Sequence, residues 1–343
     1  MWAELAVTAA KLLLIAVGLL TAIPVMVWVE RRGAAFIQDR LGPNRVGPLG
    51  LVQPIVDAVK LFFKEDITPA GVSKGLYFLA PMVAIFVALV TFIVIPFGAG
   101  TDVTVFGVPL SGVMVAPGLG VGVLYLLALG SLSVYGIVLA GWSSNNKYSL
   151  LGALRSSAQL ISYELAMTVS VMGVILAAGS LRLDAVVAYQ SQHLWNAIPQ
   201  LVGFLVFVVA AFAETNRLPF DLPEAETELV AGYHVEYSSM KFAAFFMSEY
   251  VNMVTISALM VTLYLGGWTF PGHRALSGWP LLLLSVLSML VKVLLVLFTF
   301  VWVRWSLPRF RYDQLMRLGW KVLLPLAVLN LVWVGVGVGY GWL

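Results

Sequence analysis

The sequence predicts an all-α integral membrane protein of about eight transmembrane helices, with one further amphipathic helix lying at the membrane interface. Three observations carry this prediction. The chain is 61% hydrophobic and only 11% charged, against about 25% charged in soluble domains, too little charge to clothe a water-facing surface. Apolar runs long enough to cross a bilayer, roughly 20 residues each, recur along its 343 residues. Its Lys and Arg residues are confined almost wholly to alternate loops.

Eight runs reach spanning length, near 5–29, 76–97, 115–140, 152–178, 197–218, 242–266, 281–303 and 319–341. Gly and Pro punctuate the gaps, as at Phe97-Gly98 and Pro271-Gly272. The first run ends in Glu30-Arg31-Arg32 rather than in a small-residue cleavage site, and so reads as a retained helix.

The cations set the orientation. The first loop holds Arg31, Arg32, Arg40, Arg45, Lys60, Lys64 and Lys74; the third holds Lys147 and Arg155. The fifth holds Arg217 and Lys241, and the seventh Arg304, Arg309, Arg311, Arg317 and Lys321. The even loops hold only Arg182 and Arg274. Positive charge marks the cytoplasmic side, so the odd loops, near 30–75, 141–155, 214–241 and 304–321, are expected there. Both termini then lie on the non-cytoplasmic side of a single polytopic domain covering 1–343. Seven spans would break the alternation.

Within the first loop Val52, Ile55, Val56, Val59, Phe62 and Phe63 recur at helical spacing, while Gln53, Asp57, Lys60 and Lys64 fall on the other face. The stretch is too short to span and strongly two-faced, as an interfacial helix is. It either covers another helix or borders an entrance for a lipid-soluble molecule.

Three carboxylates fall inside spans. Glu164 lies about twelve residues into the fourth run, which at ~1.5 Å per residue places it near the bilayer centre. Glu214 lies near the inner end of the fifth run, and Glu249 a few turns into the sixth. A carboxylate in hydrocarbon costs several kcal/mol, so each is expected to face protein or water. Together they suggest a proton or ion route; hydrogen-bonded fastening of helices is the alternative. Lys292, mid-span in the seventh run, reads as a counter-ion or proton carrier, whereas Lys11, nearer a span end, is expected to snorkel outward.

The fifth loop opens ETNRLPFDLPEAETE (214–228). Asp221 and Glu224 fit a capping box, which leaves Glu226 and Glu228 unexplained. Glu224 and Glu228 are placed to repel on one helix face, unless a cation such as Arg217 answers them.

Other chemistries are excluded by what the sequence lacks. With no cysteine, the chain forms no disulfide and ligates no thiolate-bound metal or iron–sulfur cluster. Its three histidines, His193, His234 and His273, are far apart, and no metal site is expected. A net charge of +3 gives no reason to expect nucleic acid.

Four stretches carry a resemblance: ERRGAAFIQDRLGPNRVGPLGLVQPIVDAVKLFFKED (30–66), AGWSSNNKYSLLGALRSSAQLISYE (140–164), ETNRLPFDLPEAETELVAGYHVEYSSMKFAAFFMSEY (214–250) and LPRFRYDQLM (307–316). Over essentially the whole chain they resemble the quinone-tunnel membrane subunits of bacterial NADH–quinone oxidoreductase, respiratory complex I. The resemblance implies a multi-pass subunit of the cell inner (plasma) membrane, enzymatic only as part of its complex. Quinone is the implied substrate. FMN and iron–sulfur clusters are implied in partner subunits and no cofactor in this chain. The implied partners are the peripheral-arm subunits at the quinone site, neighbouring membrane-arm subunits and membrane lipid.

The resemblance also implies residue roles. Glu30, Arg31 and Arg32, at the end of the first helix, would border the quinone tunnel. Gln38, Arg40 and Arg45 in the following loop, Asp57 and Lys60 on the amphipathic helix, and Arg304 and Arg309 in the seventh loop would join them. The GPNRVGP run would fix the loop's shape, since Gly and Pro permit or impose special dihedrals. Glu164, Glu214 and Glu249 match a buried proton relay, and Asp221, Glu224, Glu226 and Glu228, with Arg217, match an acidic loop feeding it. Some relatives carry a further glutamate in the third span, where this chain offers only Ser131, Ser133 and Tyr135.

The alternatives from other classes are a membrane subunit of a ferredoxin-linked hydrogenase or formate hydrogenlyase, an independent ion transporter, and an inert scaffold. The long fifth loop and the near-complete motif set favour the quinone enzyme, and no matched pair of broken spans suggests a transporter's inverted repeats.

Overall fold

In hydrocarbon every backbone N–H and C=O has to be satisfied within its own segment, and the apolar runs accordingly fold as helices. The computed structural model describes residues 2–105, 108–111, 113–116, 119–221 and 232–342. Helices α1 (Trp2–Ile37), α2 (Gln53–Phe63), α3 (Lys74–Thr91), α4 (Gly122–Ser143) and α5 (Lys147–Ala178) come first. They are followed by α6 (Leu183–Gln192), α7 (Leu201–Glu214), α8 (Ser239–Tyr264) and α9 (Gly278–Ser306). The chain closes with α10 (Tyr312–Leu318), joined through a π-helical turn to α11 (Leu324–Gly339). A hairpin of β1 (Gly100–Val105) and β2 (Val108–Ser111), which the apolar pattern does not announce, sits in the second loop. Ala99 N beside it donates to Ser285 Oγ of α9 at 2.9 Å.

Among the described residues seven helical stretches are long and apolar enough to cross a membrane, and α7 is a shorter apolar helix. Fourteen residues reach only about 21 Å at ~1.5 Å per residue, short of a hydrocarbon core of about 30 Å. Non-helical chain completes the traverse. Ala197 N donates to Tyr264 O, where α8 ends, and Phe310 N, in the loop after α9, donates to Pro219 O at the opposite end of the bundle. Thr215, Asn216 and Arg217, and Phe220 and Asp221 just after Pro219, are all buried, the condition for irregular backbone at membrane depth. Among the described residues, seven long apolar helices and the shorter α7 with its irregular extension thus answer to the eight apolar runs of the sequence.

Boundaries differ in instructive ways. The sequence pattern ends the first helix at Glu30, Arg31 and Arg32. α1 instead continues to Ile37, because Ala34 and Ala35 bury against the bundle at 1% and 3% exposure, so the three residues ride on its last turns. The last pass starts earlier than the pattern predicts, at Tyr312.

α5 occupies the middle of the bundle, packed on α4, α7 and α11, while α8 packs on α3 and α9. Close approach is decided by glycine: a Cβ on Gly152 of α5 would lie 2.5 Å from Gly232 Cα, backbone that cannot yield. The short turn Gly232–His234 docks there. Gly50 has φ +75 and no room for a Cβ against the Pro43 carbonyl, which closes the GPNRVGP loop. Trp28 Nε1 and Arg32 Nη2 then hold that loop by donating to Leu49 O at 3.0 and 3.1 Å.

α2 is the expected amphipathic helix. Its apolar side remains outward, with Ile55, Val59, Phe62 and Phe63 exposed, as suits a helix bathed by lipid. It is pinned to α8, whose Ser239 Oγ donates to Leu61 O at 3.0 Å. Lys241 Nζ adds an ion pair with Asp66 at 2.8 Å and a bond to Thr68 Oγ1 at 2.9 Å. Tyr237 stacks on Tyr77 with ring centroids 4.2 Å apart. Burial pushes the Tyr237 phenol up to about 12, so it stays protonated and donates to Tyr77 O at 3.1 Å.

Candidate functional site: an apolar cavity, a charge cluster and two polar cavities

An apolar cavity of about 410 Å³ opens between α1, α2 and α8. Leu20, Ile23 and Val27 form one wall, Ile55, Ala58 and Leu61 a second, and Phe242, Phe246 and Met247 a third. Its polar edge is Arg31 and Asp57. Arg31 Nη1 donates to Asp57 Oδ2 at 2.5 Å, and Gln53 Nε2 donates to Oδ1 at 3.0 Å. A mostly apolar concavity with a few convergent polar groups is what a ligand with a long apolar portion requires.

Glu30, the residue before Arg31, turns into the bundle at 7% exposure. Its carboxylate accepts hydrogen bonds from Arg304 Nη1 and from the Tyr250 hydroxyl. Arg217 Nη1 lies 3.7 Å from the same carboxylate, and its guanidinium stacks 4.4 Å over the Tyr250 ring. Beside this cluster Arg309 Nη2 donates to Asp221 Oδ2 at 3.0 Å. Buried charges persist only when paired and hydrogen-bonded, and here sequence-distant segments, two helices and two loops, supply the partners.

Two polar cavities follow. One, of about 30 Å³, is lined by Glu249, Glu214, Tyr233, Asn216, Ser133, Ser248 and Asn252 among others. The other, of about 50 Å³, is lined by Glu214, Glu164, Ser133, Thr91 and Asn252 with apolar neighbours. At ~10–15 Å³ of such space per water, the first has room for about two to three waters and the second for about three to five. Tyr233 OH donates to Glu249 Oε1 at 3.3 Å, and Ser131 Oγ donates to Glu164 Oε1. Glu214 Oε2 is buried and receives no hydrogen bond from the described residues. Glu214, Ser133 and Asn252 line both cavities.

The three carboxylates that the sequence places in spans therefore share connected surroundings, and of the third-span polar residues it is Ser131 that bonds to one of them. Glu30, Arg31, Asp57, Arg217, Asp221, Arg304 and Arg309 also converge. Gln38, Arg40, Arg45 and Lys60 do not: they are exposed, and Arg40 Nε merely donates to Gln38 Oε1 at 2.8 Å. Arg32 holds the Leu49 carbonyl and lines none of the three cavities. Glu224, Glu226 and Glu228 lie outside the described residues.

Lys292 donates to Leu265 O, Gly267 O and Thr269 O at 2.8, 2.9 and 2.7 Å and sits 4.5 Å over the Trp195 ring. All three N–H donors of an ammonium are engaged by carbonyls just past the end of α8. Lys11 donates to Met114 O at 3.3 Å. Among the described residues no group of three or more metal-ligating side chains occurs.

Residues that the sequence patterns pass over also matter. Tyr250, Tyr233, Asn252 and Gln159 are polar groups inside or beside apolar runs, and that misfit is their only signal.

The NADH dehydrogenase family profile matches residues 10–335. A NADH-quinone oxidoreductase subunit from Salinibacter ruber is 49% identical over 343 residues, covering 96% of each chain. Subunit 8 of the Rhodothermus marinus NADH-quinone oxidoreductase is 51% identical over 338 residues, covering 95% of each. The corresponding subunit from Geobacter sulfurreducens is 50% identical over 334 residues, covering 97% of this chain and 96% of that one. Likeness of this extent, over a helical membrane fold with these cavities, makes the chain a member of the NADH dehydrogenase family.

Proposed function

We propose that this chain admits quinone from the bilayer to a redox centre held by partner subunits, and that its carboxylates turn quinone reduction into proton movement. Like its relatives, it is a membrane subunit of NADH-quinone oxidoreductase, incomplete as a catalyst alone. The odd loops face the cytoplasm and both termini the other side, as the cation distribution requires. FMN and iron–sulfur clusters belong to other subunits of the complex.

The observation that carries the reading is that the same turns of α1 and α8 serve all three features: Arg31 lines the apolar cavity while its neighbour Glu30 is bonded to Tyr250, and Glu249, next to Tyr250, lines the first polar cavity with Glu214. Quinone would enter between α1, α2 and α8 with its tail on the apolar walls. Reduction of quinone to quinol consumes protons and changes the local charge. A unit charge change ~4 Å away is worth about 4 kcal/mol at an effective dielectric of ~20, enough to redistribute protons among coupled carboxylates. The order supported by the geometry is Asp221 and Glu30, then Glu249, Glu214 and Glu164.

The test is Glu214→Gln in membranes with equal complex assembly, following NADH-driven quinone reduction and proton uptake into vesicles together. Loss of both, with oxidation of NADH by an artificial acceptor preserved, is expected. Wild-type values for both would reduce Glu214 to a fastener of helices.

A further inference from the structure

Gln159 lies on α5 and is fully buried, at 0% exposure. Its Nε2 donates to Ala213 O at 3.0 Å and to Phe220 O at 2.8 Å. Both partners are carbonyls, so the amide orientation follows from them: the NH₂ faces the turn and Oε1 points away. A span amide usually fastens one helix to another. This one grips two ends of a single turn, and between them lie Glu214, Asn216 and Arg217.

The turn's other bonds are local to one end or run to other elements. Thr215 N donates to Ala211 O, Asn216 N to Ala213 O, Arg217 N to Phe212 O and Phe220 N to Arg217 O, while Arg217 faces Glu30 and Tyr250. On the far side the loop after α9 takes hold through Arg309 on Asp221 and Phe310 N on Pro219 O. Gln159 Oε1 and Asn216 Oδ1 are buried and receive no hydrogen bond from the described residues, so the two donations are the amide's whole grip on the turn.

We propose that Gln159 is a positioning residue that makes the stretch from Ala213 to Asp221 one rigid unit, so that a charge change at the Asp221–Arg309 pair is transmitted to Glu214. This rests on the relay reading above. Removing the donor frees the Phe220 carbonyl and leaves the Ala213 carbonyl to Asn216 N alone, at 3.3 Å, so the side-chain link between the two ends of the turn is lost.

The test uses the assembled complex in membranes carrying Gln159→Leu, Gln159→Glu or Glu214→Gln, each assayed across pH. Gln159→Leu is expected to preserve NADH oxidation by an artificial acceptor and to lower quinone-linked proton uptake about tenfold, the scale of a buried donor's loss. Gln159→Glu is expected to match it at alkaline pH, where a carboxylate opposes two carbonyls. Its uptake recovers as pH falls and the protonated acid regains one O–H donor, an acid-side recovery absent from Gln159→Leu. Equal loss in both variants at every pH, in step with lost assembly, would leave Gln159 a mere helix fastener and overturn the proposal. So would wild-type uptake in Gln159→Leu while Glu214→Gln is impaired, and the relay itself would then survive. Wild-type uptake in Glu214→Gln would remove the relay and this inference with it.

Discussion

The hydroxyl of Ser131 on α4 donates to the carboxylate of Glu164 on α5, at the end of the carboxylate series farthest from the charge cluster. A hydrogen bond to a charged group is worth about 1.5–3 kcal/mol. Ser131→Ala is therefore expected to slow quinone-linked proton uptake about tenfold or more, with complex assembly and artificial-acceptor activity intact. An unchanged uptake rate would remove Ser131 from the route.

The apolar cavity makes a steric prediction. Ala58 stands in its wall, and Ala58→Trp would project a large ring into about 410 Å³. Turnover with a long-tailed quinone should fall sharply while a short-tailed, water-soluble analogue suffers less. Equal inhibition of both substrates would argue against passage by this path.

Glu30 ties α1 to α8 and to the last turn of α9. Arg304, with 19% of its side chain exposed, is only partly screened by solvent. Arg304→Met leaves the Glu30 carboxylate to Arg217 and Tyr250, at an expected cost of about 2 kcal/mol, below the usual range for a broken buried pair because Arg217 remains. The measurement is the temperature of half-inactivation of the detergent-solubilised complex. Glu30→Gln combined with Arg304→Met should cost less than the sum of the single changes; strict additivity would mean that the two do not interact.

Lys292 fills a cradle of three carbonyls. Lys292→Met would leave these acceptors buried and unanswered, costing about 1–3 kcal/mol. Lys292→Arg should not restore stability, because a planar fork cannot reproduce the ammonium's three-pronged geometry. Full rescue by Arg, in the same heat-inactivation assay, would show that charge alone is needed.

Gly152→Ala should displace the Gly232–His234 turn, since the added Cβ meets Gly232 backbone at 2.5 Å. The chain has no cysteine, so a single cysteine introduced at Ser238 reports on that region without background. Its labelling rate should rise in the Gly152→Ala background, together with slower quinone-linked turnover through loss of the Tyr233–Glu249 bond. An unaltered labelling rate would mean that the bundle absorbs the methyl elsewhere.

The membrane class, the helical runs and the amphipathic helix are legible in the amino-acid order, because hydropathy and two-faced periodicity are local properties that water and lipid read directly. Glu164, Glu214 and Glu249 stand out in the same way, since a carboxylate in an apolar run is conspicuous without any partner. The partly helical character of the fifth pass is not legible there. It depends on burial of the stretch from Thr215 to Asp221 between Gln159 and the loop after α9, which contacts far apart in the chain alone supply. Nor does the pattern separate Arg31 and Asp57, which line a cavity, from Arg40, Arg45 and Lys60, which remain exposed, because a basic loop has the same composition whichever way its side chains turn. Tyr250, Tyr233 and Asn252 become functional candidates only once α8 is packed against its neighbours. What a polar group does inside a membrane protein depends on which group faces it, and tertiary packing decides that.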